Sequence, residues 1–271
     1  MNHMPSFGHL SGLLDPQQIR QRLQRFHPVT ALSAVGLTVL IPIAIRDYQI
    51  YLSYGPGGLP YNVFGWLLAN TLRIYSREQL SPKPYDNKEL PFAYEPSYFA
   101  PEFPPQRSSS RPKLGTHPVP QRQLEQLPSP DIRHKFIDRF AQLGKAAEEQ
   151  GLVEIKQSKY ERQHKALFVA STRPWHAVAQ QTRGEISHVH AGLDGSFHIV
   201  LHPTDCRKVL ERGWGQRHAF SGSDLKPVLP VSIPVNYMLI YAPRNDAEVE
   251  IAIAIIKAGI QYMAGSRESL K

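Results

Sequence analysis

Apolar and polar positions fall into blocks of different period along the chain. The first block, "VTALSAVGLTVLIPIAI" from Val29 to Ile45, carries no charge over 17 residues. As a helix rising about 1.5 Å per residue it would extend roughly 26 Å, near the lower limit for a bilayer span. Arg20, Arg22 and Arg25 precede it and Arg46 follows, the basic flanks of a signal anchor. Pro42 would kink such a helix without forbidding it. The run has no polar face, so the pattern predicts a membrane-anchor helix over 29–46 behind a basic segment, 1–28; a buried core helix is the alternative. Residues 47–80 continue with the turn cluster "YGPGGLPYN" and then "VFGWLLANTLRIYS", whose Val63, Trp66, Leu67, Asn70 and Ile74 form a helical stripe. This membrane-proximal segment suits either the membrane surface or a place against the domain.

From 81 to 130 the periodicity disappears, because 12 of the 24 prolines lie there and exclude a long helix or a central strand. The segment reads as a spacer, with its loosest part near Arg107 to Arg111. The aromatic run "LPFAYEPSYFAPEF" is too oily for a solvated tether, so part of it should wrap the folded domain.

Regular patterns return over 131–271. Asp131 is placed to cap a helix with Ile132, Phe136, Phe140 and Leu143 at helical spacing and Gly151 beyond its end. "LVEIKQS", "KALFVAS" and "NYMLIYAP" read as strands. A short helix opens at Thr204 or Asp205, "GWGQRHAFSG" reads as an irregular loop, and Asn245 with Glu248 gives a capping-box signature for the last helix. Strands and helices interleave without a β-α-β rhythm, so the fold class is α+β, a single compact mixed domain with an antiparallel hairpin.

That hairpin is "GEISHVHAGLDGSFHIVLH". Residues 185–191 and 196–202 alternate, and "LDGS" supplies the turn. With His190 opposite His198, one face carries Ile186, His188, His190, His198, Val200 and His202, and the other carries Val189, Phe197, Ile199 and Leu201.

Composition changes this picture little. The formal charge of +8 would suit anionic membrane or nucleic acid, yet Lys and Arg are spread along the chain, so we read it as a solvated surface and expect no nucleic-acid partner. The single cysteine, Cys206, excludes an internal disulfide and any Cys-x-x-Cys metal or redox pair.

Three readings compete for the histidine face. It is a wet strand with incidental imidazoles, a metal site for Zn, Fe or Mn on His188, His190 and His198, or an acid–base site in which a near-neutral imidazole moves a substrate proton. Downstream, "GWGQRHAFSG" puts Trp214, Gln216, Arg217 and His218 on one stretch. Trp214 suits stacking on an aromatic ligand and Arg217 suits an oxyanion, or Trp214 packs in the core and the others make ordinary surface bonds. Tyr241 and Arg244 in "LIYAPRN" stand at a strand end, where Arg244 can equally pair with Glu248.

These strings, "GEISHVHAGLDGSFHIVL", "VLERGWGQRHAFSG", "LIYAPRNDAE" and "SKYERQHKALF", with "IAIRDYQIYLSYGP" after the apolar run, resemble the fungal luciferase family from about Ile41 to Met263. The resemblance implies an oxidoreductase that adds O2 to a hydroxylated α-pyrone, 3-hydroxyhispidin, through a peroxide that loses CO2, with or without light. It also implies a membrane-associated, endoplasmic-reticulum type protein whose partners are the aromatic pyrone, O2 and membrane lipid. No cofactor beyond O2 is expected, although a metal on the histidine face stays open. On this reading His188 or His190 is the base, His198 and His218 its partner or peroxide donors, and Arg217 the counter-charge. Trp214, Gln216, Tyr241 and Arg244 would hold the substrate.

Overall fold

A computed structural model describes residues 28–90, 94–225 and 232–270, with side chains from Gly36 onward. The basic residues Arg20, Arg22 and Arg25 lie outside these. Helix α1, Pro28–Ser53, covers the apolar run and continues past it through Arg46 and Asp47. Among the described residues, however, no helix is long and apolar enough to cross a membrane, so the anchor expected over 29–46 gains no support.

Residues Tyr51 to Lys271 form one compact unit. Its centre is a six-stranded antiparallel sheet built from β1 (Val153–Gln157), β2 (Lys165–Val169), β3 (Glu185–Val189), β4 (Phe197–Val200), β5 (Gly215–Arg217) and β6 (Tyr237–Ile240), in the order β1-β2-β3-β4-β6-β5. The remaining helices are α2 (Val63–Leu72), α3 (Pro130–Glu149), α4 (Ala177–Gln181), α5 (Pro203–Glu211) and α6 (Asp246–Ala264). The architecture is α+β, as the interleaved pattern predicts.

Helices α3 and α6 pack on each other and on one face of the sheet. Phe136 of α3 meets Phe197 of β4, with ring centroids 5.4 Å apart. Gly259 lets α6 approach β4 so closely that an added Cβ would stand 2.6 Å from Ile199 Cδ1. The apolar hairpin face read from the sequence, Phe197 and Ile199, is therefore the helix-covered side, and the histidine face is the other.

Two caps differ from the sequence reading. Ser129, not Asp131, caps α3 by accepting the amide of Ile132. His202 caps α5 through the amide of Thr204, which takes its ring off the hairpin face. Asp205 is instead buried against Ser97 Oγ and the Tyr98 amide. The loop expected at "GWGQRHAFSG" contains β5, which adds to β6 as an edge strand.

The proline-rich segment lies within the compact unit. Arg107 to Arg111, expected to be its loosest part, is held: the Arg107 amide donates to Arg212 O and Arg111 Nη1 donates to Gly215 O at 2.6 Å. Prolines forbid regular ladders but not these isolated bonds.

Candidate active site

The register of β3 on β4 places His188 directly opposite His198 and pairs Val189 with Phe197. This is two residues from the register expected, with His190 opposite His198. A two-residue shift preserves the alternation of faces, so His188, His190 and His198 still share a side. The ring centroids of the three lie 5.1 to 5.6 Å from one another. His218, just past β5, adds a fourth ring 5.0 Å from that of His198. All four are buried, so the wet-strand reading fails.

They line a cavity of about 390 Å³, a size suited to a small aromatic molecule. Tyr160, Phe220 and Tyr237 supply its aromatic walls, and Leu59, Leu68 and Val119 add apolar surface from the N-terminal and proline-rich parts of the unit.

The hydrogen bonds decide the tautomers, because the partners of the imidazoles have fixed roles. His188 Nδ1 lies 2.7 Å from Glu185 Oε1, an acceptor; Glu185 also receives Ser158 Oγ and the Lys159 amide. His198 Nδ1 faces the carbonyl of Met238 at 3.2 Å, again an acceptor. His190 Nδ1 meets Ser196 Oγ at 3.0 Å, and Ser196 spends its proton on Asp194 Oδ1 at 2.6 Å, so His190 is the donor here too. Each of these three rings carries its proton on Nδ1 and keeps an Nε2 lone pair. His218 is the reverse. Its Nδ1 accepts the amide of Phe220 at 3.0 Å, which leaves the proton on Nε2.

Burial sets the charge state. It lowers the pKa of His218 to about 3, helped by His188 and His190. Burial also pushes His198 well below its ordinary value, with His218, His190 and His188 adding to the effect. For His190 burial and then Arg122 outweigh the pull of Glu161 and Asp194, and the value falls.

Lys159, Arg162 and Arg183 bring solvent-exposed charge to the cavity lining, and Arg122 and Glu161 bring buried charge, as an ion pair at 2.6 Å with side chains 3% and 4% exposed. Glu161 Oε2 lies 3.9 Å from His190 Nε2. Nothing local in the sequence marks these two, which stand 39 residues apart. Glu185 and Asp194 sit inside the hairpin motif itself, three residues before His188 and four after His190, and that spacing was the available signal.

The other residues expected at the site lie outside the cavity. Arg217 pairs with Met238, next to the cavity-lining Tyr237, so alternation turns Arg217 to the opposite face, where it donates to Glu78 O and Ser221 O. Trp214 is buried with Nε1 bonded to Pro105 O at 2.6 Å. Gln216 donates to Gln79 Oε1 and accepts the hydroxyl of Tyr241. Arg244 forms an ion pair with Glu248. Arg122, Arg162 and Arg183 line the cavity and Arg217 does not, Arg122 being the buried one of the three, and Tyr160 and Tyr237 stand where Trp214 and Tyr241 were expected.

A luciferase-domain family model matches residues 183–259. The chain is 33% identical over 238 residues to a luciferase of Armillaria gallica, covering 85% of each chain. It is 30% identical over 252 residues to a luciferase of Neonothopanus nambi, covering 87% of this chain and 86% of the relative. The chain belongs to the fungal luciferase family. No solved structure matches it. In this luciferase-family chain the matched region holds all four cavity histidines, whereas Arg122 and Glu161 come from outside it.

Proposed function

We propose that this protein is a luciferase-like oxygenase acting on a 3-hydroxy-α-pyrone of the 3-hydroxyhispidin type: substrate plus O2 gives product plus CO2, with or without light. The observation that carries the reading is a cavity with aromatic walls in which four buried imidazoles present both lone pairs and an N–H.

A 3-hydroxypyrone is acidic at its enol, and its enolate is electron-rich enough to react with O2. The chain's task is to take that proton, hold the planar ring between Tyr160, Phe220 and Tyr237, and keep water out. The Nε2 lone pairs of His188 and His190 are the proton acceptors. Glu185 behind His188, and Ser196 with Asp194 behind His190, stabilise the imidazolium formed. His218 Nε2–H and the Arg122 guanidinium face the charge that passes to the peroxide oxygen. Collapse of the peroxide with loss of CO2 leaves the carbonyl product.

The test is to mix the purified protein with 3-hydroxyhispidin in air and follow oxygen uptake, CO2 release and photons together. Uptake matched by CO2 is the expected result, and His190→Ala should abolish it while leaving the fold intact. An absence of oxygen uptake by folded wild-type protein would overturn the proposal.

A further inference from the structure

The tautomers derived above have a second chemical meaning. Three imidazoles from β3, β4 and the turn between them each commit Nδ1–H to an acceptor and leave Nε2 free, and the ligand atoms that His188, His190 and His198 can offer lie within 4.8 Å of one another. In metal centres the non-ligating nitrogen of a histidine almost always donates to a carboxylate, a carbonyl or a similar acceptor, which fixes the ring and raises the basicity of the ligating nitrogen. Here all three rings have such a partner: the carboxylate of Glu185, the carbonyl of Met238, and Ser196 backed by Asp194.

We propose that His188, His190 and His198 bind one divalent first-row transition-metal ion through their Nε2 atoms, leaving coordination positions open toward the cavity.

Formal charge gives a second, independent argument. The buried shell holds three carboxylates, Glu161, Glu185 and Asp194, against one buried guanidinium, Arg122. Lys159, Arg162 and Arg183 also line the cavity but are exposed to solvent, so among the buried groups two negative charges remain in excess beside the three rings, an arrangement that favours a dication. His218 is excluded as a ligand because its Nδ1 is occupied and its Nε2 carries the proton. It stands beside the open positions as a hydrogen-bond donor. Ligands about 2.0–2.1 Å from an ion in tetrahedral geometry lie about 3.3 Å apart, so small ring rotations must draw the three nitrogens together. Three histidines with an open side is a ligand set shared by catalytic Zn sites and by non-haem redox metals, so the ion's identity rests on measurement.

The site does not depend on the pyrone reading. With the ion bound, the Nε2 lone pairs of His188 and His190 are no longer proton acceptors, and the ion would instead acidify the enol by acting as a Lewis acid on its oxygen.

The experiment is a cobalt(II) titration of the full-length protein after chelator stripping, with circular dichroism and thermal melting confirming that it is folded. The expected result is a visible d–d absorption band saturating at one equivalent, accompanied by elemental analysis of the protein as isolated. Glu185→Gln and Ser196→Ala keep all three ligands and should weaken binding about 10–100-fold. His190→Gln and His198→Gln, where folded, should weaken it more than either. No band with folded wild type, or undiminished binding in the folded histidine variants, would overturn the site. Oxygen uptake by the stripped protein is read separately: uptake without cobalt binding sinks the metal site alone, and cobalt binding without any uptake, stripped or loaded, sinks the oxygenase alone.

Discussion

His198 lies flat against Tyr237, with ring centroids 5.1 Å apart and planes 11° from parallel. The stack fixes an imidazole from β4 against a phenol from β6, and it leaves the Tyr237 hydroxyl buried at the cavity wall without a hydrogen-bond partner among the described residues. Burial raises the pKa of this phenol well above its ordinary value, so the group remains a donor at all working pH values.

An unpartnered buried hydroxyl costs stability unless a ligand uses it. Tyr237→Phe keeps the stack and removes the hydroxyl, so the unfolding free energy should stay within about 0.5 kcal/mol of wild type, or rise. Affinity for a hydroxypyrone should fall roughly 2–10-fold, the worth of one hydrogen bond of about 0.5–1.5 kcal/mol. Urea unfolding and a binding titration measure the two; a large loss of stability with intact affinity would show that the hydroxyl serves the fold.

Arg122 and Glu161 make a different prediction. Removing one partner of a buried ion pair strands the other, at about 3–5 kcal/mol. Arg122 also donates to Tyr54 O and Pro56 O, so its loss frees the N-terminal wall of the cavity. We expect Arg122→Leu to lower the urea midpoint sharply, and the double variant Arg122→Leu/Glu161→Leu to recover part of the loss. An exposed, weak pair would show neither effect.

Acid should destabilise the metal-stripped protein. A histidine whose folded pKa lies below its unfolded value, near 6.5, binds more protons when unfolded. Its contribution is therefore full above about pH 6.5 and falls as the pH drops toward the folded value, which is about 3 for His218. His198 and His190 shift in the same direction. Each proton adds a slope of up to about 1.4 kcal/mol per pH unit. Melting temperatures recorded at pH 7, 6 and 5 should decline, and less steeply in His218→Phe; equal melting at pH 7 and pH 5 would contradict the burial of neutral rings.

Trp214 separates packing from ligand contact. Its indole is buried and bonded to Pro105 O, away from the cavity. Trp214→Phe should cost about 1–3 kcal/mol of stability through the lost bond and volume, and leave the KM for a pyrone unchanged. A changed KM with unaltered stability would return Trp214 to the substrate.

Five of the six helices, five of the six strands and the shared histidine face were legible because periodicity is a local property, and an error of two residues in register leaves the faces intact; the five-residue α4 is too short to show a period. Residues 185 to 198 bring their own partners within a few positions, so the hairpin carries its chemistry in one string. Arg217 was misassigned for a reason of geometry: in "GQRHAF" successive residues turn to opposite faces once the segment is a strand, and read as a loop it gives no face at all. Arg122 and Glu161 were illegible because only the closed fold joins them. The proline-rich segment suggested a tether by composition, while the isolated bonds that hold it have no sequence period.

The cavity's lining has a consequence for how the chain can be divided. Leu59, Leu68, Val119 and Arg122 all precede the first residue of α3, yet they wall the space into which the four imidazoles open. A shortened chain beginning at Pro130 would keep the residues of the sheet, its two covering helices and the complete histidine motif, but would strand Glu161 without Arg122 and expose the motif as an open trough to solvent. Expression trimmed to the most regular half of the sequence would thus keep the residues of the scaffold and discard the vessel.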